Sequence, residues 1–254
     1  MAGIFVGLFV FFFGTCIGSF LNVVVYRLNH NLSPLKGRSF CPKCKKKILW
    51  RDNIPLFSFI FLRGRCRFCH SPISWQYPLV ELGTGAITYI VYRISYLAGG
   101  DILFTIYYLL ITYALIAVFV SDFRYQTIPD EVIYPAILIS LLYTIRYMPY
   151  AILVGIGASL FFLALVMATR GRGMGMGDAK LAGLMGLVLG FPRIIVAMIL
   201  AFLTGAIIGV ILILLGKKRF KEHIPFGPFL TSATWISLFW GQIIWQFYLE
   251  KFLF

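Results

Sequence analysis

The chain has 254 residues, of which 60% are hydrophobic and 13% charged, with a mean hydropathy of +0.89 and a formal net charge of +14. A soluble domain carries about 25% charged residues, so the composition excludes an ordinary cytosolic enzyme and intrinsic disorder and points to a polytopic membrane protein. The positive charge records loop orientation in such a protein rather than nucleic-acid binding, and no nucleic acid is expected as a partner.

In chain order, residues 1–26 form an uncharged run with no basic residue before it, since Arg27 follows. It exceeds the about 7–15 apolar residues of a cleavable signal, so it reads as a retained span with its amino terminus outside. Residues 27–76 are a polar insert with eleven Lys/Arg and one acid, Asp52. Apolar segments then follow at 77–96, 102–121, 132–148 and 150–169, and, after a short glycine-rich piece at 181–192, at 194–215 and 224–249. A crossing helix needs about 20 apolar residues, and nothing alternates as a porin strand would. The expected fold is an all-α polytopic membrane protein with about eight transmembrane helices and a small cytosolic four-cysteine insert. Its parts are a first span (1–26), the insert (27–76) and a multi-span core (77–254). That topology puts 19 of the 23 Lys/Arg inside, as the positive-inside rule requires. The weakest spans are 132–148 and 181–192, the latter short enough to be tilted or re-entrant.

Four of the five cysteines fall in the insert as Cys41, Cys44, Cys66 and Cys69, two C-x2-C pairs with 21 residues between them. Paired knuckles of this kind suit a tetrahedral four-thiolate zinc, and iron fits the same ligands. Two disulfides are the competing arrangement, disfavoured where thiols stay reduced. Lys43, Lys45, Arg65 and Arg67 favour the thiolates. Cys16 reads as a buried small residue, and His30, His70 and His223 read as loop neighbours.

Nine acids are few enough to weigh singly. Asp101, Glu250, Asp52 and Glu222 lie in loops or ends and carry no assigned role. Glu81 lies inside the second span, where a carboxylate costs a few kcal/mol unless paired, neutral or hydrated; it reads equally as a cation ligand or a brace between helices. Asp122 ends the third span and Asp178 opens the sixth segment, both at the inner face. Two close carboxyls share a proton and supply a general base and a general acid around one water, which is aspartic protease chemistry. Asp178 reads equally as a helix N-cap. The glycines before it are expected to adopt positive φ and admit a close backbone. Asp130 and Glu131 follow Pro129 and read as N-cap and first-turn residues.

Taken together, these residues resemble the type IV prepilin peptidases, bacterial GxGD aspartic proteases of the inner membrane. The resemblance rests on residues 18–28 (GSFLNVVVYRL), the four cysteines, 54–56 (IPL), 77–81 (YPLVE), Asp122 with 128–130 (IPD), 175–181 (GMGDAKL) and 224–230 (IPFGPFL), all in order. Asn29 stands where many relatives carry proline. The resemblance implies cytoplasmic-side cleavage of prepilin and pseudopilin leaders by Asp122 and Asp178, then methylation of the new amino terminus with S-adenosylmethionine. The residues that hold that cofactor are not identifiable, since no G-x-G-x-x-G fingerprint is present. A peptidase without methylation is the nearest alternative. A cation-coupled transporter is more distant, because it predicts midplane acids and an internal repeat.

Overall fold

The computed structural model describes residues 2–34, 36–97, 99–171, 173–216 and 225–252. The basic run at 217–221, with Glu222 and His223, lies outside them. Helix α1 covers Ala2–Leu28, and the insert adds a 3-10 turn at Trp50–Asn53 and a short α2 at Phe57–Phe61. There follow α3 (Gln76–Leu97), α4 (Ile102–Tyr125), α5 (Asp130–Tyr147), α6 (Tyr150–Ala168), α7 (Met176–Leu189), α8 (Arg193–Leu214) and α9 (Gly227–Phe252). The only extended pairing among the described residues is two isolated bridges in the insert. A helix therefore stands at each of the eight expected segments. Four, at Phe5–Leu28, Ile102–Tyr125, Tyr150–Ala168 and Arg193–Leu214, are long and apolar enough to cross a membrane. The other four fall short of that test, so among the described residues a helix at each of the eight segments is not yet a count of crossings.

The chain packs as two units, Met1–Val120 and Ser121–Phe254. In the first, α1 and α3 run antiparallel along a seam of small residues. A Cβ on Gly14 would come within 2.5 Å of the Thr88 hydroxyl, and one on Gly18 within 2.9 Å of the Glu81 backbone. Where water gives no drive for helix association, such close backbone approach supplies it.

The insert does not stand wholly clear of the spans. Leu56 donates its N–H to the Glu81 carboxylate at 2.8 Å, and the Phe57 ring stacks on Phe12 with centroids 6.2 Å apart. Phe12 precedes Arg27 by 15 residues, about 22 Å of helix. The α2 segment thus folds back along the apolar part of α1, with Ile60 69% and Phe61 81% exposed. We expect Phe61→Trp to add fluorescence that lipids brominated in the acyl chain quench. Added fluorescence that only aqueous quenchers reach would place α2 outside the bilayer.

In the second unit α7 is the central element, buried from Asp178 and Ala179 to Leu189 with few gaps. Gly186 meets the Gly155 backbone of α6 so closely that a Cβ would lie 2.5 Å away. Ser159 of α6 donates to the Ala179 carbonyl at 3.1 Å, and Thr144 of α5 donates to that of Leu187 at 3.3 Å. A helix apolar on all sides must be enclosed, which is how a 14-residue helix earns its central place.

Candidate active site and cysteine cluster

One end of the second unit collects its polar machinery. Asp122 sits in the last turn of α4, 6% exposed, and its Oδ2 accepts the N–H of Gly227 at 2.8 Å. Gly227 is the first residue of α9, so this N–H is one of those a helix start leaves unpaired, and the helix dipole favours an anion there. Only glycine fits, because a Cβ at 227 would lie 2.6 Å from the same carboxylate oxygen.

Asp178 is likewise 6% exposed. It is not the N-cap of α7: Gly175 holds that position, and Asp178, three residues on, accepts the Gly175 N–H through Oδ2 at 2.9 Å. Because that carboxylate caps the helix from within, α7 begins at Met176 rather than at 181. The preceding glycines correct a second expectation. Gly175 has φ −93°, and neither Gly173, Gly175 nor Gly177 takes positive φ. What glycine supplies here is space, since a Cβ on Gly177 would press to 3.0 Å on Ile128.

That contact joins the loop before α5 to the start of α7. Ser121 and Thr127 hydroxyls meet at 3.3 Å, and Lys180 pairs with Asp130 at 2.6 Å beneath the Tyr134 ring. Asp122, Ile128, Asp130, Gly177 and Asp178 therefore belong to one end of the unit. Asp130 opens α5 with Pro129 at the N-cap, and it makes no capping bond. Its carboxylate is 54% exposed and ion-paired, unlike the two buried aspartates. Gly227→Ala should displace the Asp122 carboxylate and, on the expectation from sequence that Asp122 cuts leader peptides, slow that cleavage by about a hundredfold. Asp130→Asn should cost about 1 kcal/mol or less, as an exposed pair does, and keep cleavage. Equal cleavage rates for these two variants would contradict this sorting of the acids.

In the first unit Glu81 is buried, and besides Leu56 it bonds the Ser19 hydroxyl. Leu56 takes φ +62° to make that contact. The geometry is that of a brace between α1, the insert and α3.

The four insert cysteines are free thiols, and their sulfurs all lie within 4.8 Å of one another. Cys41 and Cys69 are 3.9 Å apart, close to the about 3.8 Å edge of a tetrahedron with 2.3 Å metal–sulfur bonds. The two knuckles share one local geometry. Lys45 returns its N–H to the Cys41 carbonyl and His70 to that of Cys66, at 2.8 and 2.9 Å, each with positive φ. His70 is not among the clustered ligands. The Ser71 hydroxyl, 3.2 Å from Cys69, draws that thiol down to about 6. The Lys46 amide favours the Cys44 thiolate, but desolvation and its thiol neighbours push it up to about 11. Such a crowded set of thiols is what a divalent cation neutralises, and four sulfurs leave it no open position. Arg67 grips Asp52 at 2.6 and 2.8 Å, which holds the Asp52 carboxyl below its usual range. That bracing is present above the ordinary carboxylate range and is lost as pH falls through the lowered value.

The geometry can be set beside known proteins. The family model for the Bacterial Peptidase A24 N-terminal domain matches residues 12–94, and that for the Type IV leader peptidase family matches residues 109–210. Similar curated proteins are the prepilin leader peptidase/N-methyltransferases of Aeromonas salmonicida (strain A449), 35% identical over 96% of this chain and 94% of that one, and of Aeromonas hydrophila, 36% identical over the same shares. That of Bacillus subtilis (strain 168) is 30% identical over 96% of this chain and 98% of its own. No solved structure matches. The segment 224–230, which by resemblance opens the last span, carries Gly227, the donor to Asp122. With matches across both halves and near-complete coverage of its relatives, the chain belongs to the type IV leader peptidase family.

Proposed function

We propose that Asp122 and Asp178 are the carboxyl pair with which this membrane peptidase removes leader peptides from prepilins and pseudopilins on the cytoplasmic side. The observation that carries the reading is the matched state of the two acids. Both are buried at one end of the unit, and each is oriented by the N–H of a glycine at a helix start.

The ionised carboxylate takes a proton from water as the water oxygen attacks the scissile carbonyl carbon. The protonated carboxyl donates to the carbonyl oxygen. Collapse of the tetrahedral intermediate breaks the C–N bond, the leaving amine takes a proton from the carboxyl that acted as base, and the other carboxylate takes back a hydroxyl proton, which restores the pair. The cut lies at the inner membrane boundary, because the amino terminus is outside and the insert cytosolic. A glycine before the bond lets the substrate backbone reach the carboxyls.

The new amino terminus is then methylated with S-adenosylmethionine. The four cysteines hold a structural zinc that fixes the insert, residues 27–76, between the first span (1–26) and the multi-span core (77–254). Incubation of the purified protein with a prepilin in detergent, read by intact mass, tests both steps. Loss of the leader without added cofactor and one further methyl with it are expected. An uncut prepilin under conditions that keep the protein folded would refute the peptidase reading.

A further inference from the structure

One contact connects the surroundings of the two buried aspartates, and the cleavage chemistry above gives it no part. The loop between α4 and α5 is tied to the turn that carries Asp122. The Gln126 N–H donates to the Asp122 carbonyl at 2.9 Å, and Gln126 then turns the chain with φ +56°. The Thr127 hydroxyl meets that of Ser121 at 3.3 Å. Ile128 follows, and its side chain lies against Gly177, the residue before Asp178. Asp122, this loop and Asp178 all belong to the second unit.

Ile128 meets Gly177 along its side chain rather than at a tip. A Cβ at 177 would stand 3.0 Å from the Ile128 Cβ, 3.1 Å from its Cδ1 and 3.3 Å from its Cγ1. Cγ1 and Cδ1 move with a rotamer, but Cβ moves only with the backbone. A β-branched side chain is also stiff at χ1. Glycine at 177 thus lets the loop and α7 come together, and the Ile128 side chain sets how near they come. Lys180 and Asp130 also join α7 to α5. Theirs is a part-exposed pair on a long, flexible stem, which follows the backbone spacing without fixing it. A shift at 177 would carry Asp178 with it, because the Gly175 N–H holds that carboxylate to the first turn of a buried helix. Close-packed interiors transmit such strain.

We propose that Ile128 is a positioning residue for leader cleavage: seated on Gly177, its side chain sets the spacing between the Asp122 and Asp178 carboxyls. The proposal rests on the reading of those two acids as the cleaving pair. Two carboxyls share a proton around one water only when close together, and a displacement of about 1 Å in such a group costs about a hundredfold in rate.

The test is a double-mutant cycle in the full-length, metal-loaded protein, read as initial rates of prepilin cleavage in detergent. Rates are taken per folded enzyme, counted from helical circular dichroism and metal content. Gly177→Ala should lower kcat at least about tenfold and leave KM within about twofold of the parent, since it moves the acids and not the spans that hold the substrate helix. Ile128→Gly alone should also slow cleavage, because the spacer is gone. In that background, which lacks all three contacting atoms, Gly177→Ala should change kcat by no more than about twofold, where independent sites would repeat the full loss. Ile128→Ala removes two of the three atoms, so Gly177→Ala should show an intermediate loss there, and this background carries the test if Ile128→Gly does not fold. An equal loss from Gly177→Ala in every background, a loss confined to KM, or a folded Gly177→Ala that cuts at the parental rate would overturn the spacer and leave the carboxyl pair standing. Parental cleavage by a folded Asp122→Asn or Asp178→Asn would instead overturn the pair, and the spacer with it.

Discussion

Asp122→Asn and Asp178→Asn should each remove leader cleavage, by about a thousandfold or more, while the protein remains inserted and metal-loaded. Each change keeps the shape of the side chain, and its amide oxygen can still accept the glycine N–H found at 2.8 or 2.9 Å. The fold is therefore expected to survive. What is lost is a titrating partner, and groups that act as a unit fail together when one is removed. The size of the loss separates a catalytic acid from a capping one, because Asn caps a helix nearly as well as Asp. A folded Asp178→Asn variant that cuts prepilin at the parental rate would make Asp178 a capping residue only. The same result for Asp122 would reduce it to a tie between α4 and α9.

The second large effect concerns the cysteines. Elemental analysis should find one metal per chain, lost in the double variant Cys41→Ser, Cys44→Ser. Structural zinc contributes about 10–16 kcal/mol of apparent binding energy in small finger peptides, and the described part of the insert has only two isolated bridges, a 3-10 turn and a five-residue helix beside it. Without metal the insert should open, which protease nicking within residues 36–76 would report. The effect should reach the spans through Leu56, whose N–H the insert delivers to Glu81. Metal retained in the double variant would refute the four-cysteine site. Metal lost with no new protease sensitivity would refute its structural role.

The cysteine cluster was legible in the sequence because its chemistry is local: two C-x2-C pairs leave few other uses for four thiols in a basic insert. Helix positions were legible from apolar runs, but their ends shifted where side chains intervened. Helix α4 continues to Tyr125, past the apolar run that stops at 121. Helix α7 starts five residues early because Asp178 caps it from inside. The return of α2 along α1 was hidden by averaging, since eleven basic residues make the insert polar overall while residues 57–61 (FSFIF) are almost wholly apolar. The α1–α3 seam has a local signal in Gly14 and Gly18, four apart, as small residues are at membrane helix contacts. Gly227 had no local signal of its function. Its partner Asp122 is 105 residues away, and only folding reveals that a Cβ there would strike a carboxylate.

The most direct measurement of the central claim, that cleavage belongs to Asp122 and Asp178, uses the double variant Asp122→Asn, Asp178→Asn. Incubated with S-adenosylmethionine and an equal mixture of intact prepilin and a peptide bearing the mature amino terminus, its products are read by intact mass. The account predicts an uncut prepilin and a methylated peptide in the same tube. Cleavage of the prepilin by that variant would contradict the carboxyl pair, and a folded variant that leaves the peptide unmethylated, where the parent methylates it, would tie methylation to the same two carboxyls.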